Sequence, residues 1–423
     1  MVQALTPSSF LAHFRPGVRV YWPGCAGHSP LFERWLQASP ARARGVEFCG
    51  VWIPGTSRFN PTACDAQARA RVIFLPPALH PAHDEGRVDM MPLHYSDAVR
   101  WLGTPGRFDL VLLHLSPPDP QGRCSFSVAA DFSPAVMDAL DAGVPVLAHL
   151  NPLLPRTRGP SVALSRITAC VEAAEPPLTV ADEAPGEATT RLAGQVASLA
   201  EDGDTVQLGL GRLQAAVLGQ LRTRRGLRVH AGMVSDGLLG LIEAGALAPR
   251  SREHPPVCTG VALGSHALYA AVADETLARF EPVSCTHAPA TLAAVPQLLA
   301  INSALEVDLF GNVNVEWLEG RRISGIGGLL DFVRGARASP GGRSVLALNA
   351  TAGGGRLSRI VPVLAAGCTS VPRSDVDFIA TEHGCARMRE LDADDRALAL
   401  IGLAAPAFRP SLQQAWHTLR RSS

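Results

Sequence analysis

Short apolar runs separated by amphipathic stretches recur along the first half of the chain. Each run is bounded by Gly, Pro, Asp or Asn on at least one side; they cover residues 18–22, 45–52, 72–75, 110–115 and 144–150. Continuous apolar runs of this length are typical of strands buried on both faces of a parallel sheet. Helical periodicity lies between them, as in 30–37 and 133–142. The alternation predicts an α/β fold with largely parallel sheets.

One segment interrupts this pattern. Residues 172–187 read EAAEPPLTVADEAPGE, rich in Pro, Glu and Asp and without periodicity. We interpret this segment as the boundary between an N-terminal domain of residues 1–180 and a C-terminal domain of residues 187–423. Two domains suit a chain of 423 residues, because single cores rarely grow beyond about 250–300 residues.

The second half restarts with a predicted helix over 188–200, a strand over 205–208, the turn Gly209-Leu210-Gly211 and a helix over 213–221. This order is found in phosphate or ligand loops and equally in plain βα turns, so both interpretations stay open. A similar but weaker pattern, a strand followed by the glycine-containing segment Gly24–Gly27, occurs near the start of the chain. Two similar domains with a ligand cleft between them would fit this duplication.

Composition narrows the class of protein. Hydrophobic residues make up 47% of the chain and charged residues 18%, with 38 basic and 38 acidic side chains and no basic block. The balance argues against disorder and gives no support for nucleic acid as a partner. The sequence contains no run of about 18 apolar residues, so we predict no membrane span. The nine cysteines include no CxxC pair, so we expect free thiols in a cytoplasmic protein.

Three glycine-containing segments in the second half are candidates for a ligand site. They contain Gly327 and Gly328 within 324–332, Gly353, Gly354, Gly355 and Arg356 within 351–356, and Glu382 within 381–384. Glycine lets backbone N–H groups approach a ligand closely, which suits an oxyanion or a phosphate. The sequence shows no HExxH or similar metal-ligand spacing, so we expect no metal.

A carboxylate pair lies just before these segments. Glu306 and Asp308 are two residues apart in a stretch of alternating apolar and polar positions, so on an extended strand they share a face. They could serve acid–base chemistry or anchor loops through hydrogen bonds, and the sequence leaves both roles open.

Four stretches of the second half resemble the acetyl-CoA hydrolase/CoA-transferase family, which includes acetate-, succinate-, butyrate- and 4-hydroxybutyrate-type CoA-transferases. They read INSALEVDLFGNVN, GIGGLLDFVRGA, NATAGGGRLSRIVP and PRSDVDFIATEHGCARMR. The resemblance is most specific over 202–409 and covers nearly the whole chain. It implies two CoA-transferase-type α/β domains, coenzyme A as substrate or product, small acyl-CoA and carboxylate partners, and a homodimer.

The resemblance also implies roles for single residues. In the family a glutamate attacks the thioester, and the resulting anhydride is converted to a glutamyl-CoA thioester from which a second carboxylate takes the CoA. Gly328, beside Gly327, matches the residue whose amide contacts the thioester oxygen, and Glu382 matches a site glutamate. Gly353–Gly355 with Arg356 matches a CoA loop usually written KGG, so Gly353 replaces a lysine.

The nucleophile is where this chain departs from the family. The family motif is roughly I/V-H-x-E-M-x-x-D-G, and residues 229–237 read VHAGMVSDG, which places Gly232 at the glutamate position. No acyl-enzyme can form on glycine. One hypothesis is that a water occupies the space left by the side chain. His230, Glu306 or Glu382 would activate it against a thioester polarised by Gly328.

Other interpretations remain open at this stage. The chain could transfer CoA by an altered mechanism, catalyse changed chemistry on a CoA-linked substrate, or bind acyl-CoA without turnover as the partner subunit of an active paralogue. His230 could simply be a histidine bonded to backbone at a strand end. Cys25, in Gly24–Gly27, lacks a matching His or Asp spacing for a thiol nucleophile. The roles of His28 and Arg58 are not readable from the sequence.

Overall fold

A computed structural model describes residues 2–56, 59–181 and 184–420. The first half of the chain contributes an eight-stranded parallel sheet and a separate pair of antiparallel strands. Its strands are β1 (Gln3–Ala4), β2 (Arg19–Tyr21), β3 (Glu47–Gly50), β4 (Arg69–Val72), β5 (Val88–Met90), β6 (Leu110–Leu115), β7 (Arg123–Ser125), β8 (Val146–Leu150), β9 (Ser161–Ala163) and β10 (Ala169–Glu172). Its helices are α1 (Pro7–Leu11), α2 (Pro30–Gln37), α3 (His80–Asp84), α4 (Tyr95–Leu102) and α5 (Ser133–Asp138).

The second half contributes the remaining strands: β11 (Thr205–Gln207), β12 (Arg228–Val234), β13 (Val257–Ala262), β14 (Ala278–Phe280), β15 (Leu298–Ser303), β16 (Glu306–Asp308), β17 (Val313–Asn314), β18 (Trp317–Leu318), β19 (Arg321–Arg322), β20 (Arg343–Ala347), β21 (Thr351–Ala352), β22 (Leu357–Ser358), β23 (Ile360–Val361), β24 (Phe378–Thr381) and β25 (Gly384–Arg387). Its helices are α6 (Glu187–Ala197), α7 (Arg212–Leu221), α8 (Gly237–Glu243), α9 (His266–Val272), α10 (Val283–Thr286), α11 (Pro289–Ala294), α12 (Leu329–Ala338), α13 (Ala393–Leu403) and α14 (Arg409–Leu419).

The chain divides into two compact units. The first unit comprises Met1–Val180, Arg250–Thr286 and Ile323–Gly327. The second comprises Ala181–Pro249, His287–Arg322 and Gly328–Ser423. Two later segments of the chain thus belong to the unit that the N-terminal half builds.

The sheet of the first unit runs β1-β10-β8-β6-β2-β3-β4-β5, and every neighbouring pair is parallel. All residues of β6 and β8 are buried, as expected for central strands covered on both faces. Aromatic rings fill the core beside it, with Phe10 and Phe32 stacked 4.8 Å apart between centroids. The α/β class with largely parallel sheets is confirmed.

The second unit contains a similar sheet. Strands β12, β11, β15, β20 and β24 lie side by side and parallel, and β25 pairs antiparallel with β24. Leu298 and Ala300 of β15 pack with Leu292 of α11 and with Phe332 and Ala336 of α12 in one core cluster. Helices α11 and α12 therefore cover β15.

Two predicted elements differ from those in the structure. The apolar run 72–75 is not itself a strand: β4 is Arg69–Val72, paired in register with β3 and β5, and Ile73, Phe74 and Leu75 are buried beyond its end. An apolar run in the sequence thus indicates which residues are buried, but not which of them form hydrogen bonds to a neighbouring strand. The helix predicted over 133–142 ends at Asp138, before a turn that reaches Gly143 with φ +89°. Among the described helices, none is both long and apolar enough to cross a bilayer.

Candidate active site

The parallel strands of the second unit gather the candidate residues at one edge of its sheet. Because β12, β11, β15, β20 and β24 run in the same direction, their carboxyl ends meet at that edge. Gly232 lies near the end of β12, the loop with Gly353–Gly355 follows β20, and Glu382 directly follows β24. In open α/β sheets, ligands bind outside the carboxyl ends of the strands. This edge is the candidate active site.

Strand β12 positions His230 and Gly232. They are two residues apart on an extended strand and so face the same side of the sheet. His230 is buried, with 5% of its surface exposed, and its ring lies edge-on to Phe332 at 6.5 Å between centroids. Because Phe332 belongs to α12, the face of β12 that carries His230 packs against that helix.

His287 occupies the space beside Gly232. A Cβ built at Gly232 with ideal geometry would lie 2.7 Å from Cε1 and 3.0 Å from Nε2 of the His287 imidazole. The His287 ring also contacts Phe332, at 4.7 Å between centroids, and only 1% of the residue is exposed. The space next to Gly232 where a Cβ would stand is therefore taken by an imidazole ring from a residue distant along the chain. A water further out, as the sequence suggests, stays a prediction.

The environment of His287 keeps its ring neutral. Burial, together with a smaller effect of the nearby His230, lowers the pKa of His287 to about 3. A neutral imidazole can donate one hydrogen bond and accept another, but it brings no charge to the site. The position that the family motif gives to a carboxylate is thus bordered here by an uncharged ring.

Gly328 begins the helix that carries Phe332. It is the N-cap residue of α12, and its carbonyl oxygen accepts a 3.1 Å hydrogen bond from the amide of Phe332. The first amides of a helix have no partner within the helix and suit a developing negative charge. The helix that begins after Gly328 therefore carries Phe332, whose ring contacts His287. His287 in turn lies beside Gly232.

Gly327 combines a left-handed backbone conformation with close contacts in the first unit. Its φ is +54°, and an ideal Cβ there would lie 2.9 Å from Cζ of Phe74. Its carbonyl oxygen accepts a 3.1 Å hydrogen bond from the amide of Tyr95. No side chain fits this position, which explains the glycine without reference to a ligand.

Gly353, Gly354 and Gly355 form the tip of the hairpin between β21 and β22. Their φ angles are +59°, +68° and +86°, so the backbone conformation itself requires glycine. All three are exposed, as is the adjacent Arg356. The tip offers backbone amides and one guanidinium to solvent, a suitable surface for phosphate groups.

The carboxylates anchor loops. Glu306 accepts a 3.0 Å hydrogen bond from Nδ2 of Asn314, its antiparallel partner. Asp308 accepts from the amides of Phe310 and Asn312 at 3.1 and 2.9 Å. Glu382 accepts from the amide of Ala350 at 2.8 Å. His230 and Gly232 therefore both lie close to His287, whereas these hydrogen bonds tie Glu306 to the neighbouring strand β17 and Glu382 to the segment before β21.

Sequence reasoning missed His287. It lies far from Gly232 along the chain, in the segment THAP, and no spacing or motif marks it. A lone histidine in an apolar stretch carries no signal for a partner elsewhere. Only the packing of α11 against α12 brings it to β12.

The first unit contains the other two polar candidates that the structure describes. His28 lies 2.7 Å from the carboxylate of Glu33 and accepts a 3.0 Å hydrogen bond from Nε1 of Trp22. Cys25 is buried, and burial raises the pKa of its thiol to about 12, which makes a thiolate nucleophile unfavourable at neutral pH. Arg58 lies outside the described residues. Across the described ranges, no cluster of three His, Cys, Asp or Glu could hold a metal ion.

Comparisons with known proteins agree with this architecture. The family described as acetyl-CoA hydrolase/transferase C-terminal domain matches residues 264–416. The 4-hydroxybutyrate coenzyme A transferase of Clostridium kluyveri is 33% identical over 374 residues, covering 87% of this chain and 86% of that protein. The succinyl-CoA:cyclohexane-1-carboxylate CoA transferase of Geobacter metallireducens is 33% identical over 433 residues, covering 98% and 95%.

A solved structure extends the likeness to the fold. The crystal structure of RipA from Yersinia pestis superimposes with a TM-score of 0.88 at 26% identity, covering 99% of this chain and 97% of that one. Fold and site together define a CoA-transferase-type α/β protein. The chain belongs to the acetyl-CoA hydrolase/transferase family.

Proposed function

We propose that this chain cleaves or transfers the CoA thioester of a small carboxylic acid without forming a covalent intermediate at position 232. Membership of the family supports the thioester chemistry, since its relatives are named as CoA-transferases. The observation that supports a route without a covalent intermediate is Gly232 itself. It has no side chain and is bordered by the uncharged ring of His287.

The chemistry then requires direct attack by the acceptor. With water as acceptor, its oxygen bonds to the acyl carbon, the carbon–sulfur bond breaks, and the proton released by the water ends on the CoA sulfur. The amide of Gly328, the N-cap residue of α12, with the first amides of that helix would stabilise the oxyanion that develops on the thioester oxygen. The hairpin tip Gly353–Gly355 with Arg356 would hold phosphate groups of CoA.

The substrate and partners follow from the same proposal. We infer a small acyl-CoA and, where transfer occurs, a small carboxylate, with coenzyme A as substrate and product and no metal. We infer a homodimer from the family resemblance and a cytoplasmic location from the unpaired cysteine pattern of the sequence.

Release of free CoA thiol from a panel of acyl-CoAs, with and without acetate or succinate, tests the proposal. Release without an acceptor supports hydrolysis, and release only with an acceptor supports transfer. If neither occurs for any acyl-CoA tested, the proposed activity is wrong.

One observation favours a second candidate function, acyl-CoA binding without turnover, alone or as the partner of an active paralogue. Neither Gly232 nor the neutral His287 supplies a charged nucleophile. Calorimetric binding of acetyl-CoA by a chain that releases no thiol would establish this candidate instead.

A further inference from the structure

Gly232 and His287 are interlocked. The distance of 2.7 Å between an ideal Cβ at position 232 and Cε1 of His287 is shorter than real Cβ atoms tolerate, so any side chain at 232 requires the imidazole to move. Among the described residues, apart from the chain neighbours Ala231 and Met233, the atoms nearest to that Cβ position all belong to the His287 ring. His287 is therefore the residue that a Cβ at position 232 meets.

The surroundings of His287 resist such a movement. Its ring lies against Phe332, which is 2% exposed and belongs to the core cluster joining α11, α12 and β15. The residue directly after it, Ala288, is the N-cap of α11 and precedes Pro289, whose ring restricts the backbone there. A buried ring between a helix start and an aromatic neighbour has few other rotamers to adopt.

We propose that His287 is a positioning residue that decides the reaction route, because it fills the place where a nucleophilic side chain at 232 would begin. This inference rests on the proposed function. It implies that glycine at 232 and histidine at 287 form a matched pair. A glutamate at 232 alone would be displaced from the thioester, and covalent exchange requires changes at both positions.

A double-mutant cycle on stability tests the interlock without any substrate. Gly232→Ala should lower the thermal midpoint of the full-length protein by about 3 °C or more, because the new Cβ clashes with the ring. In the His287→Ala background the same substitution should lower it by less than about 1 °C. Gly209→Ala, at a glycine with open space around it, is the matched control and should have equal effects in both backgrounds. Equal losses for Gly232→Ala in both backgrounds would overturn the inference.

Trapping of a covalent adduct tests the route. After incubation with acetyl-CoA, intact mass should show no CoA adduct on the wild type or on Gly232→Glu. It should show one CoA per chain, lost on treatment with hydroxylamine, on Gly232→Glu/His287→Ala. Gly232→Asp/His287→Ala serves as a second variant should the first not fold.

The outcomes separate the inference from the proposed function. An adduct on Gly232→Glu alone contradicts the steric role of His287. Absence of an adduct on both double variants, when they still bind acetyl-CoA by calorimetry, contradicts it as well. If the wild type itself does not bind acetyl-CoA, the proposed function fails, and the stability cycle still decides whether the two residues are interlocked.

Discussion

The carboxylate of Glu382 accepts a 2.8 Å hydrogen bond from the backbone amide of Ala350. Glu382 follows β24, and Ala350 directly precedes β21 and the hairpin whose tip is Gly353–Gly355. Ala350 is fully buried, so its N–H group depends on this carboxylate for a partner. The residue that resembles a site glutamate of the family therefore fixes the base of the candidate CoA loop.

This contact predicts the effects of two substitutions at Glu382. Glu382→Ala should destabilise the protein by about 1–3 kcal/mol, because the Ala350 amide is left buried without an acceptor. Glu382→Gln keeps an acceptor oxygen and should cost less than about 1 kcal/mol. Urea unfolding measures both, and KM for acetyl-CoA should rise more for the alanine variant. Equal losses for the two variants would show that charge, rather than the hydrogen bond, is what matters.

Arg356 should affect binding of CoA and leave folding unchanged. Its side chain is exposed at the hairpin tip, so Arg356→Ala should leave the thermal midpoint within about 1 °C of the wild type. The Kd for CoA measured by calorimetry should rise about five- to tenfold at low salt and less at high salt, since a phosphate contact is screened. Arg321→Ala, which also removes an exposed guanidinium, is the control. Equal effects at the two positions would refute a specific role of Arg356.

Exposed helical glycines offer stabilising substitutions. Gly194 in α6 and Gly402 in α13 are exposed and have open space where a Cβ would stand. Changing either one to alanine should raise the free energy of unfolding by about 0.5–1 kcal/mol, because glycine loses more backbone entropy on folding. Gly335 in α12 is the opposite case, since its Cβ would lie 2.6 Å from Cβ of Leu292. Gly335→Ala should destabilise by about 1–3 kcal/mol in the same unfolding assay.

Buried neutral histidines predict loss of stability in acid. Burial lowers the pKa of His287 to about 3, and it also lowers the pKa of His114 and of His149. Below pH about 6.5 the unfolded chain takes up protons that these folded side chains refuse, so stability falls as the pH decreases. For His287 the loss continues down to about pH 3. Each such histidine contributes at most about 1.4 kcal/mol per pH unit.

Two carboxyl groups oppose this trend, since burial raises the pKa of Asp131 and that of Asp204. The pKa of Asp131 rises to about 6, so the folded state binds a proton there between about pH 6 and 4 that the unfolded state does not. The urea midpoint of unfolding should therefore fall as the pH decreases from 8 to 4.5. Proton uptake by folded Asp131 should make this fall less steep, by the equivalent of about one bound proton. His287→Asn should flatten the slope by about one proton. An unchanged slope for His287→Asn would contradict a buried neutral imidazole.

Much of the fold was readable from local pattern. The run 110–115 is β6 and the amphipathic stretch 30–37 is α2, because a buried strand or a one-sided helix imposes its own periodicity on the residues that form it. The run 72–75 shows the limit, since burial continues past the point where β4 stops pairing. Hydrogen-bond register depends on the neighbouring strands, which a local pattern does not contain.

The candidate site likewise has features that the sequence showed and features that only the tertiary structure showed. The sequence by itself showed the resemblance to the family and marked Gly232, Gly327 and Gly353–Gly355 as candidate site residues, because motifs and glycine runs are local features of a chain. The structure added that Gly327 and Gly353–Gly355 have left-handed backbone angles, which glycine adopts most readily. Only the tertiary structure decided what borders Gly232. His287 reaches it because α11 packs on α12 beside β12, and contacts between residues far apart in the chain arise from packing, which leaves no periodic trace in the sequence.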